Sequence, residues 1–453
     1  MFKPKQIDAT RGALVPQILI FVVPLILTTL IQTLFNAVDI AVLGNMADTR
    51  AVASVGATST IVHLVVDAFV GISSGAKIVI ARLVGKNDEK ELHRTIDTSL
   101  VLAVSFGLIV ALIGFFFSPL FMTLVDCPTE CLDDAVLYLR IYLASAPAIL
   151  LYNYGSAVLT SSGDTQRPLY YAIASGFLNV ILNIILCLIL PKKVAAVAIA
   201  TAASQILAAT LVLIRLCHLE GALRVRLRRI RFHFRSFVTL MRFGVPLSLQ
   251  TLVYPLANLQ IASAINSHGV ACMAGNSAAN TVEQMTAAFR SSFATATATF
   301  MGQNLGAEKP DRVRKSLWHN IWLVTVINTA VCMTVMLTNR YWLKIFLGND
   351  TAAIEFAMTR NNILMSAAIL AAMMAVLGHA IQAFGYPIFS TINAVFWVLG
   401  FRAIWMAFVY PLWPTYESLI WCFMFSWGLT ALCNVVILAV LYHRYNKGKY
   451  KRI

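Results

Sequence analysis

The sequence predicts an all-α integral membrane protein with twelve transmembrane helices, arranged as two parallel six-helix repeats around a central cleft. Three features lead to this fold class. The composition is far more apolar than that of a soluble protein, with 59% hydrophobic and only 12% charged residues among 453. Long stretches of the chain carry no charge, and the second half repeats landmarks of the first.

Stretches without Asp, Glu, Lys or Arg define the helices, because crossing a bilayer takes about 20 apolar residues. Single-helix stretches are residues 12–38, 98–125, 141–163, 168–191, 194–214, 316–339 and 418–443. Residues 243–282 and 361–401 are about twice as long and contain turn-forming residues, so each predicts two helices. With an interrupted span at 51–76, the predicted helices 1 to 12 cover residues 18–43, 51–77, 95–120, 133–160, 168–190, 194–217, 240–266, 272–300, 316–338, 360–384, 388–411 and 418–442.

Paired landmarks indicate one internal repeat. Pro24 and Pro246 lie early in helices 1 and 7, 222 residues apart, and Gly163 and Gly385 keep this offset after helices 4 and 10. Because each repeat has six helices, both begin on the same side of the membrane, which makes them parallel. We therefore expect an N-terminal lobe (1–217), a basic cytoplasmic connector (218–239), a C-terminal lobe (240–443) and a basic cytoplasmic tail (444–453).

The positive charges follow the positive-inside rule. The formal net charge is +15, but Lys and Arg concentrate in every second loop, most densely between Arg224 and Arg235. These loops and both termini are therefore predicted to be cytoplasmic, in a cell (plasma or inner) membrane, with the Arg run at the anionic inner leaflet. This pattern accounts for the charge without nucleic acid, and the lipid bilayer is the expected partner.

The cysteines do not form a metal-site pattern. Most of the eight are scattered within the helices, where Cys acts as a small packing residue. Only Cys127 and Cys131 share an outer loop, and the sequence leaves open whether they form a disulfide. No second Cys or His pair accompanies them, so we expect no zinc.

Helices 1 and 2 each contain a carboxylate. An ionisable group within a membrane span is costly and normally faces a cavity or a partner, so Asp39 is a functional candidate. Gln32 and Asn36 are spaced to share its helix face and are candidate residues of the substrate cleft. Asp67 follows His63 by four residues, and we favour a buried Asp–His pair over a proton relay there.

Helices 5 and 6 supply neutral oxygen atoms. Asn179 and Asn183 are four residues apart and so lie on one face of helix 5, and Thr201 offers a hydroxyl on helix 6. With Asp39, these residues could coordinate a hard cation such as sodium, which prefers oxygen ligands. Protonation of Asp39 is the alternative, since desolvation favours a neutral carboxyl.

Helix 8 contains a third carboxylate. Glu283, together with its neighbour Gln284, is a candidate to face the substrate cleft from the second half. The alternative is a structural ion pair between Glu283 and Arg290 or Arg402. The sequence does not decide between these two roles.

Several segments resemble those of a known transporter family. They are FVVPLILTTLIQTLFNAVDIAVLG in helix 1, ARLVGKND after helix 2, YLRIYLASAP in helix 4, SSGDTQRP before helix 5 and MGQNLGAEKPDRVRKS after helix 8. In this order and spacing they make nearly the whole chain similar to the multidrug and toxic compound extrusion (MATE) family. The resemblance implies a secondary active antiporter that exports amphipathic, often cationic, organic compounds in exchange for sodium ions or protons, as two lobes rock between outward-open and inward-open states.

The resemblance also implies roles for particular residues. The ion-coupling set would be Asp39, Asn179, Asn183, Thr201 and the helix 4 tyrosine Tyr138. Pro24 would kink helix 1. In the family the second helix 5 position is often Asp, whereas here it is Asn183, so Asp39 is the only carboxylate of the set. Coupling through a carboxyl pair is therefore in doubt.

Other classes of protein fit the sequence less well. A lipid-linked oligosaccharide flippase has a similar helical architecture and is the alternative function, but it would need several cationic side chains within the spans, where the sequence has few. An enzyme would need a catalytic cluster, and the eight His are dispersed. We expect a monomeric transporter of small organic cations that needs no cofactor beyond its coupling ion.

Overall fold

The chain is almost entirely helical. A computed structural model describes residues 6–46 and 49–447, apart from the side chains of Asn36, Ile40, Ala41, Asn45 and Thr49. The first half contains helix 1 (Leu14–Met46), helix 2 (Thr49–Lys86), helix 3 (Glu89–Leu124), helix 4 (Thr129–Ala144 and Ala146–Ser161), helix 5 (Gln166–Ile189) and helix 6 (Lys193–Cys217). The second half contains helix 7 (Phe234–Ser267), helix 8 (Val270–Gly306), helix 9 (Pro310–Leu347), helix 10 (Thr351–Ser366 and Ala368–Ala383), helix 11 (Pro387–Leu412) and helix 12 (Tyr416–Asn446). The predicted set of twelve helices is confirmed.

Most of these helices are apolar enough to cross a membrane. Within the described residues, nine single helices are long and apolar enough, and the bent helices 4 and 10 bring the number to eleven. Helix 8 has 37 residues but is less apolar, because it carries Asn276, Asn280, Glu283 and Arg290. Polar side chains on a membrane helix normally face a partner or a cavity, since lipid offers them no hydrogen bonds. Helix 8 therefore indicates a polar site in the second half.

Helices 4 and 10 bend at equivalent places. The two segments of helix 4 join at Ser145 with a bend of 44°, and those of helix 10 join at Ala367 with a bend of 53°. Ala367 follows Ser145 by 222 residues, the same offset that separates the paired prolines. Pro147 follows the first bend, as expected for a kink, but Ile369 takes its place after the second. The sequence predicted helix 4 as one continuous span and missed a bend that proline alone does not explain.

The repeated segments after helices 2 and 8 form the same tight turn. Helix 2 continues to Lys86, beyond its predicted end, and the chain then turns at Asn87, whose φ is 57°. Helix 8 continues to Gly306, and the chain turns at Glu308, whose φ is 55°. This left-handed conformation is uncommon for residues other than glycine. Its presence in both halves shows that the repeat extends to the backbone of the turns.

The chain packs as two compact units, and helix 1 contributes to both. The first unit contains Leu27–Val245, and the second contains Ala9–Ile26 together with the chain from Pro246 onward. In the second unit the ring of Phe21 packs edge-on against Phe300 of helix 8, with 5.4 Å between ring centroids. The sequence analysis assigned all of residues 1–217 to one lobe, whereas the structure divides helix 1 between the two units. Composition could not predict this division, because it does not show which neighbours a long helix contacts along its length.

The basic connector folds against the first unit. It contains two short 3-10 turns, Gly221–Leu223 and Leu227–Arg229. The backbone N–H of His233 donates to Thr98 Oγ1 at 3.2 Å, and the Ser236 hydroxyl donates to Glu91 Oε1 at 3.2 Å. Both acceptors lie on helix 3, so residues 218–239 pack on that helix, and helix 7 already begins within them.

Candidate functional site

Helices 1, 5 and 6 bring four predicted residues together in the first unit. Asn183 Nδ2 donates to Asp39 Oδ1 at 2.5 Å and lies 3.2 Å from Asn179 Oδ1, to which it also donates. Asn179 Nδ2 in turn donates to Thr201 Oγ1 at 3.4 Å. The Thr201 hydroxyl donates to the carbonyl of Val197 on its own helix. We call Asp39, Asn179, Asn183 and Thr201 the Asp39 cluster.

The side-chain oxygen of Asn183 is an acceptor without a donor. It is buried and has no hydrogen-bond partner within the part of the chain that the structure describes. A buried polar atom left unpaired costs about 1–3 kcal/mol. A cation beside it, or a proton carried by the neighbouring Asp39, would supply the missing partner. One carboxylate, two amides and a hydroxyl form an oxygen-rich set that suits a hard cation.

A small cavity adjoins the Asp39 cluster. Its volume is about 80 Å³, and its lining includes Asp39, Asn179 and Thr201 together with Gln32 and Phe35. Drug-sized ligands occupy about 300–1,000 Å³, whereas one water molecule takes up about 30 Å³ of the liquid. The cavity therefore has room for an ion with a few waters, and it is too small for an organic substrate.

The other residues predicted in the first half lie near this cluster or on the same helix. Tyr138 is buried on helix 4, with its ring stacked on Tyr142 at a centroid distance of 6.1 Å. Its hydroxyl lies within electrostatic reach of the Asp39 carboxyl. Pro24 lies inside helix 1, two residues before that helix passes from the second unit to the first. The side chain of Asn36 lies outside the described residues.

The His63–Asp67 pair differs from the buried pair that the sequence favoured, and the structure shows the state of Cys127 and Cys131, which the sequence had left open. His63 is exposed and Asp67 is half-buried, so they interact electrostatically but do not form a buried pair. Cys127 and Cys131 are both free thiols. Neither pair adds a group to the Asp39 cluster.

In the second unit, Glu283 is held by two arginines. Its Oε2 accepts from Arg360 at 2.7 Å, and its Oε1 accepts from Arg290 at 3.3 Å. The side chains of Glu283 and Arg360 are only 13% and 5% exposed. Both carboxylate oxygens are therefore engaged in a largely buried ion pair, which favours the structural role for Glu283. Gln284, its neighbour, is exposed.

Sequence reasoning missed Arg360, and of the two partners that it offered for Glu283, Arg290 forms the ion pair and Arg402 does not. Helix 10 begins at Thr351 rather than near residue 360, so Arg360 lies well inside the helix. Arg402 is fully buried and donates to Asn258 Oδ1 at 3.0 Å rather than to Glu283. In the sequence, Arg360 and Arg402 flank the charge-free stretch 361–401, and this position at the ends of a membrane span could have identified them as functional candidates. With Glu283 and Arg290 they form the arginine cluster of the second unit.

The ring of Phe423 on helix 12 connects two members of the arginine cluster. The guanidinium of Arg402 lies 4.1 Å from the ring centroid, and that of Arg360 lies 5.6 Å from it. A cation over an aromatic face is stabilised by the ring quadrupole. Phe423 therefore helps to hold two positive charges close together in the apolar interior.

A comparison with protein families gives two matches within the chain. The MatE family model matches residues 24–185 and residues 246–406. The two matches begin at Pro24 and Pro246, the prolines that define the internal repeat. The duplication inferred from the sequence is thus also seen in the family comparison.

Relatives and solved structures cover most of the chain. The probable multidrug resistance protein YoeA of Bacillus subtilis strain 168 is 25% identical over 84% of this chain and 84% of its own length. The multidrug export protein MepA of Staphylococcus saprophyticus is 21% identical over 95% of this chain and 94% of its own. A crystal structure of MATE in complex with MaL6 superposes with a TM-score of 0.88 at 19% identity, covering 99% of this chain and 100% of that one. This last likeness is one of fold.

Proposed function

This chain belongs to the MatE family of membrane transporters, and we propose that it is a secondary active antiporter that exports small amphipathic organic compounds in exchange for sodium ions or protons. The observation that carries this proposal is the Asp39 cluster, in which one carboxylate accepts from the Asn183 amide of helix 5, which also donates to Asn179, beside an ion-sized cavity. Such a cluster has little structural purpose in a helix bundle, where an ionisable group is costly.

The exchange would follow from the electrostatics of Asp39. An ionised carboxylate without a cation is unfavourable in an apolar bundle, and a bound sodium ion or proton neutralises it. The same ion would give the buried oxygen of Asn183 a partner. An ion drives transport only if it binds one conformation better than the other. We therefore expect ion binding to favour the conformation in which the Asp39 cluster is closed and helix 1 bends near Pro24, which releases substrate.

Small amphipathic compounds are the proposed substrates. The relatives from Bacillus and Staphylococcus are named for multidrug resistance and export. Organic cations are the class that the family resemblance implies. The exposed side chains of Gln32 and Gln284 are proposed polar contacts for these compounds.

We further propose that the protein is a monomer in the plasma membrane with both termini and the connector in the cytoplasm. This orientation can be tested in a variant from which the native cysteines have been removed. A cysteine introduced by Arg228→Cys should resist an impermeant maleimide added to intact cells. One introduced by Asp133→Cys, at an exposed position in the first turns of helix 4 that the proposed orientation places outside, should be labelled. The reverse pattern would contradict the orientation.

The decisive experiment for the function uses proteoliposomes containing the whole chain. Uptake of ethidium, a fluorescent organic cation, is measured under a sodium gradient at uniform pH, and separately under a pH gradient without sodium. We expect at least one gradient to drive accumulation, and the matching ionophore to abolish it. Liposomes without protein are the control. Ethidium uptake that is the same with and without each gradient would contradict antiport.

A further inference from the structure

The buried charges of the second unit do not balance. Three guanidinium groups, those of Arg290, Arg360 and Arg402, stand against the single carboxylate of Glu283. The other acidic residues of this unit are all exposed, namely Glu308, Asp311, Asp350, Glu355 and Glu417. Among the described residues of this unit, the interior therefore carries two more positive than negative charges. An uncompensated charge in an apolar interior is strongly unfavourable, so the arginine cluster lacks an anion.

A cavity opens beside this cluster. Its volume is about 240 Å³, against about 80 Å³ for the cavity of the first unit. Arg360 is its only charged lining residue, and four asparagines form its polar wall, including Asn258, Asn276 and Asn280. Phe423 and other apolar side chains form the rest. The lining thus joins a positive, polar side to an apolar one. The volume lies just below the roughly 300 Å³ at which pockets for drug-sized ligands begin, so the cavity suits a compound smaller than a drug.

The polar wall offers hydrogen-bond donors rather than acceptors. Asn258 Oδ1 already accepts from Arg402 at 3.0 Å. Asn276 Oδ1 accepts from Arg360, and Asn280 Oδ1 accepts from the same guanidinium at 3.5 Å. Because these oxygens are engaged by arginines, the amide N–H groups are what remains for a ligand. Arg360 Nε is itself buried with no acceptor among the described residues.

We propose that this cavity binds the anionic group of a small amphipathic organic compound, a carboxylate, sulfonate or phosphate, through Arg360 and the asparagine amides. The inference rests on the proposed transport function and adds a substrate class of opposite charge to the organic cations implied by the family resemblance. An anion there offsets part of the excess positive charge, and its apolar body lies along Phe423. A planar guanidinium pairs well with carboxylates and phosphates.

A purely structural cluster makes a different prediction. If the three arginines only tie helices 7, 8, 10 and 11 together, neither an anion nor a cation binds in the cavity above the level of protein-free micelles. The two readings therefore separate in a binding experiment that compares ligands of one shape and opposite charge.

The test uses the whole purified protein in an uncharged maltoside detergent. Equilibrium dialysis measures binding of radiolabelled 2-naphthoate and of 2-naphthylmethylammonium, which match in size and differ in charge, with protein-free micelles subtracted. We expect naphthoate to bind at least about tenfold more tightly, because its carboxylate can accept charge-assisted hydrogen bonds from the Arg360 guanidinium, which repels an ammonium. Equal binding of the two probes, or tighter binding of the ammonium, would overturn the proposal.

Two variants locate the site. Arg360→Gln removes the lining charge while Arg290 still pairs with Glu283, and Asn280→Asp places a carboxylate beside Arg360, where it gains a stabilising partner. Both should weaken naphthoate binding at least about tenfold. Arg340→Gln, on the exposed surface of helix 9, is the matched control and should not. If one cavity variant fails to fold, the other decides, and unchanged binding in a folded cavity variant refutes the site.

The same measurement separates this inference from the proposed function and identifies the source of the anion. Asp39→Asn should leave naphthoate binding intact, because its site lies in the first unit. Naphthoate binding without gradient-driven transport would refute only the antiport proposal. Gradient-driven transport without naphthoate binding would refute only the anion site.

In phosphatidylcholine nanodiscs, added phosphatidylglycerol should not displace naphthoate. Displacement that depends on Arg360 would assign the cavity to a lipid headgroup and overturn the organic-substrate proposal.

Discussion

The two units share a repeated backbone but differ in the charge of their interiors. At the 222-residue offset of the repeat, Tyr138 on helix 4 corresponds to Arg360 on helix 10, and Asp39 on helix 1 corresponds to the fully buried Ile261 on helix 7. The bends of helices 4 and 10 are nevertheless equivalent. Helix packing constrains the backbone, whereas side chains that face a cavity are free to diverge. A duplicated fold can therefore provide two sites of opposite polarity.

The difference assigns different tasks to the two sites. The first unit offers a carboxylate and neutral oxygens around about 80 Å³, which suits a small cation. The second offers guanidinium and amide donors around about 240 Å³, which suits an organic anion. Substitutions that keep the shape of a side chain but change its charge or polarity can test this assignment at each site.

The largest effect should come from Asp39→Asn. The amide keeps the shape of the carboxylate but is neutral at all times, so the site would resemble one that is permanently occupied. We expect gradient-driven efflux to be abolished and drug resistance of cells to be lost, with the protein still inserted and folded. Asp133→Asn, the same change at an exposed position, should transport normally. If transport by the Asp39→Asn protein keeps the same gradient dependence, the coupling site lies elsewhere in the chain.

Glu283→Gln should act on stability instead. The substitution leaves Arg290 and Arg360 without their carboxylate, and removing one partner of a buried ion pair costs about 3–5 kcal/mol. The apparent melting temperature in detergent should fall by more than it does for Asp39→Asn. Glu355→Gln, exposed on helix 10, is the control. Lost transport at an unchanged melting temperature would instead make Glu283 a substrate contact.

A smaller effect is expected from Thr201→Val. Its hydroxyl accepts from Asn179 at 3.4 Å, a long hydrogen bond, so the half-saturating concentration of the coupling ion should rise about threefold to tenfold. Thr210→Val is a matched control on the same helix, because that exposed hydroxyl donates only to its own helix at Ile206. If the half-saturating ion concentration changes equally in both variants, Thr201 is not part of the ion site. Ion-dependent transport rates in proteoliposomes measure the shift.

The smallest effect should come from Pro147→Ala. Helix 10 bends by 53° at the equivalent place without a proline, so packing should hold the bend of helix 4 as well. We expect transport within about twofold of the native rate and little change in melting temperature, since the substitution restores a backbone N–H in a helical segment. A loss of transport in folded protein would show that the proline itself maintains the first bend.

The sequence by itself determined the class of the protein, its twelve helices and its internal repeat. Lipid requires about 20 apolar residues per crossing with every backbone hydrogen bond made internally, so spans can be read from composition. The Asp39 cluster was also predictable, because residues four apart share one helix face and a carboxylate in a membrane span needs a reason to be there. Its proposed role in ion coupling remains to be tested.

Only the tertiary structure decided which helices meet and what charge each interior carries. Asn183 meets Asp39 across 144 residues of sequence, and Arg360 meets Glu283 across 77. The division of helix 1 between two units and the bend of helix 10 likewise have no local signal. The periodicity of a sequence shows one face of one helix, whereas the charge and volume of a cavity are sums over side chains from several helices. The positive interior of the second unit could therefore appear only once helices 7, 8, 10, 11 and 12 were placed together.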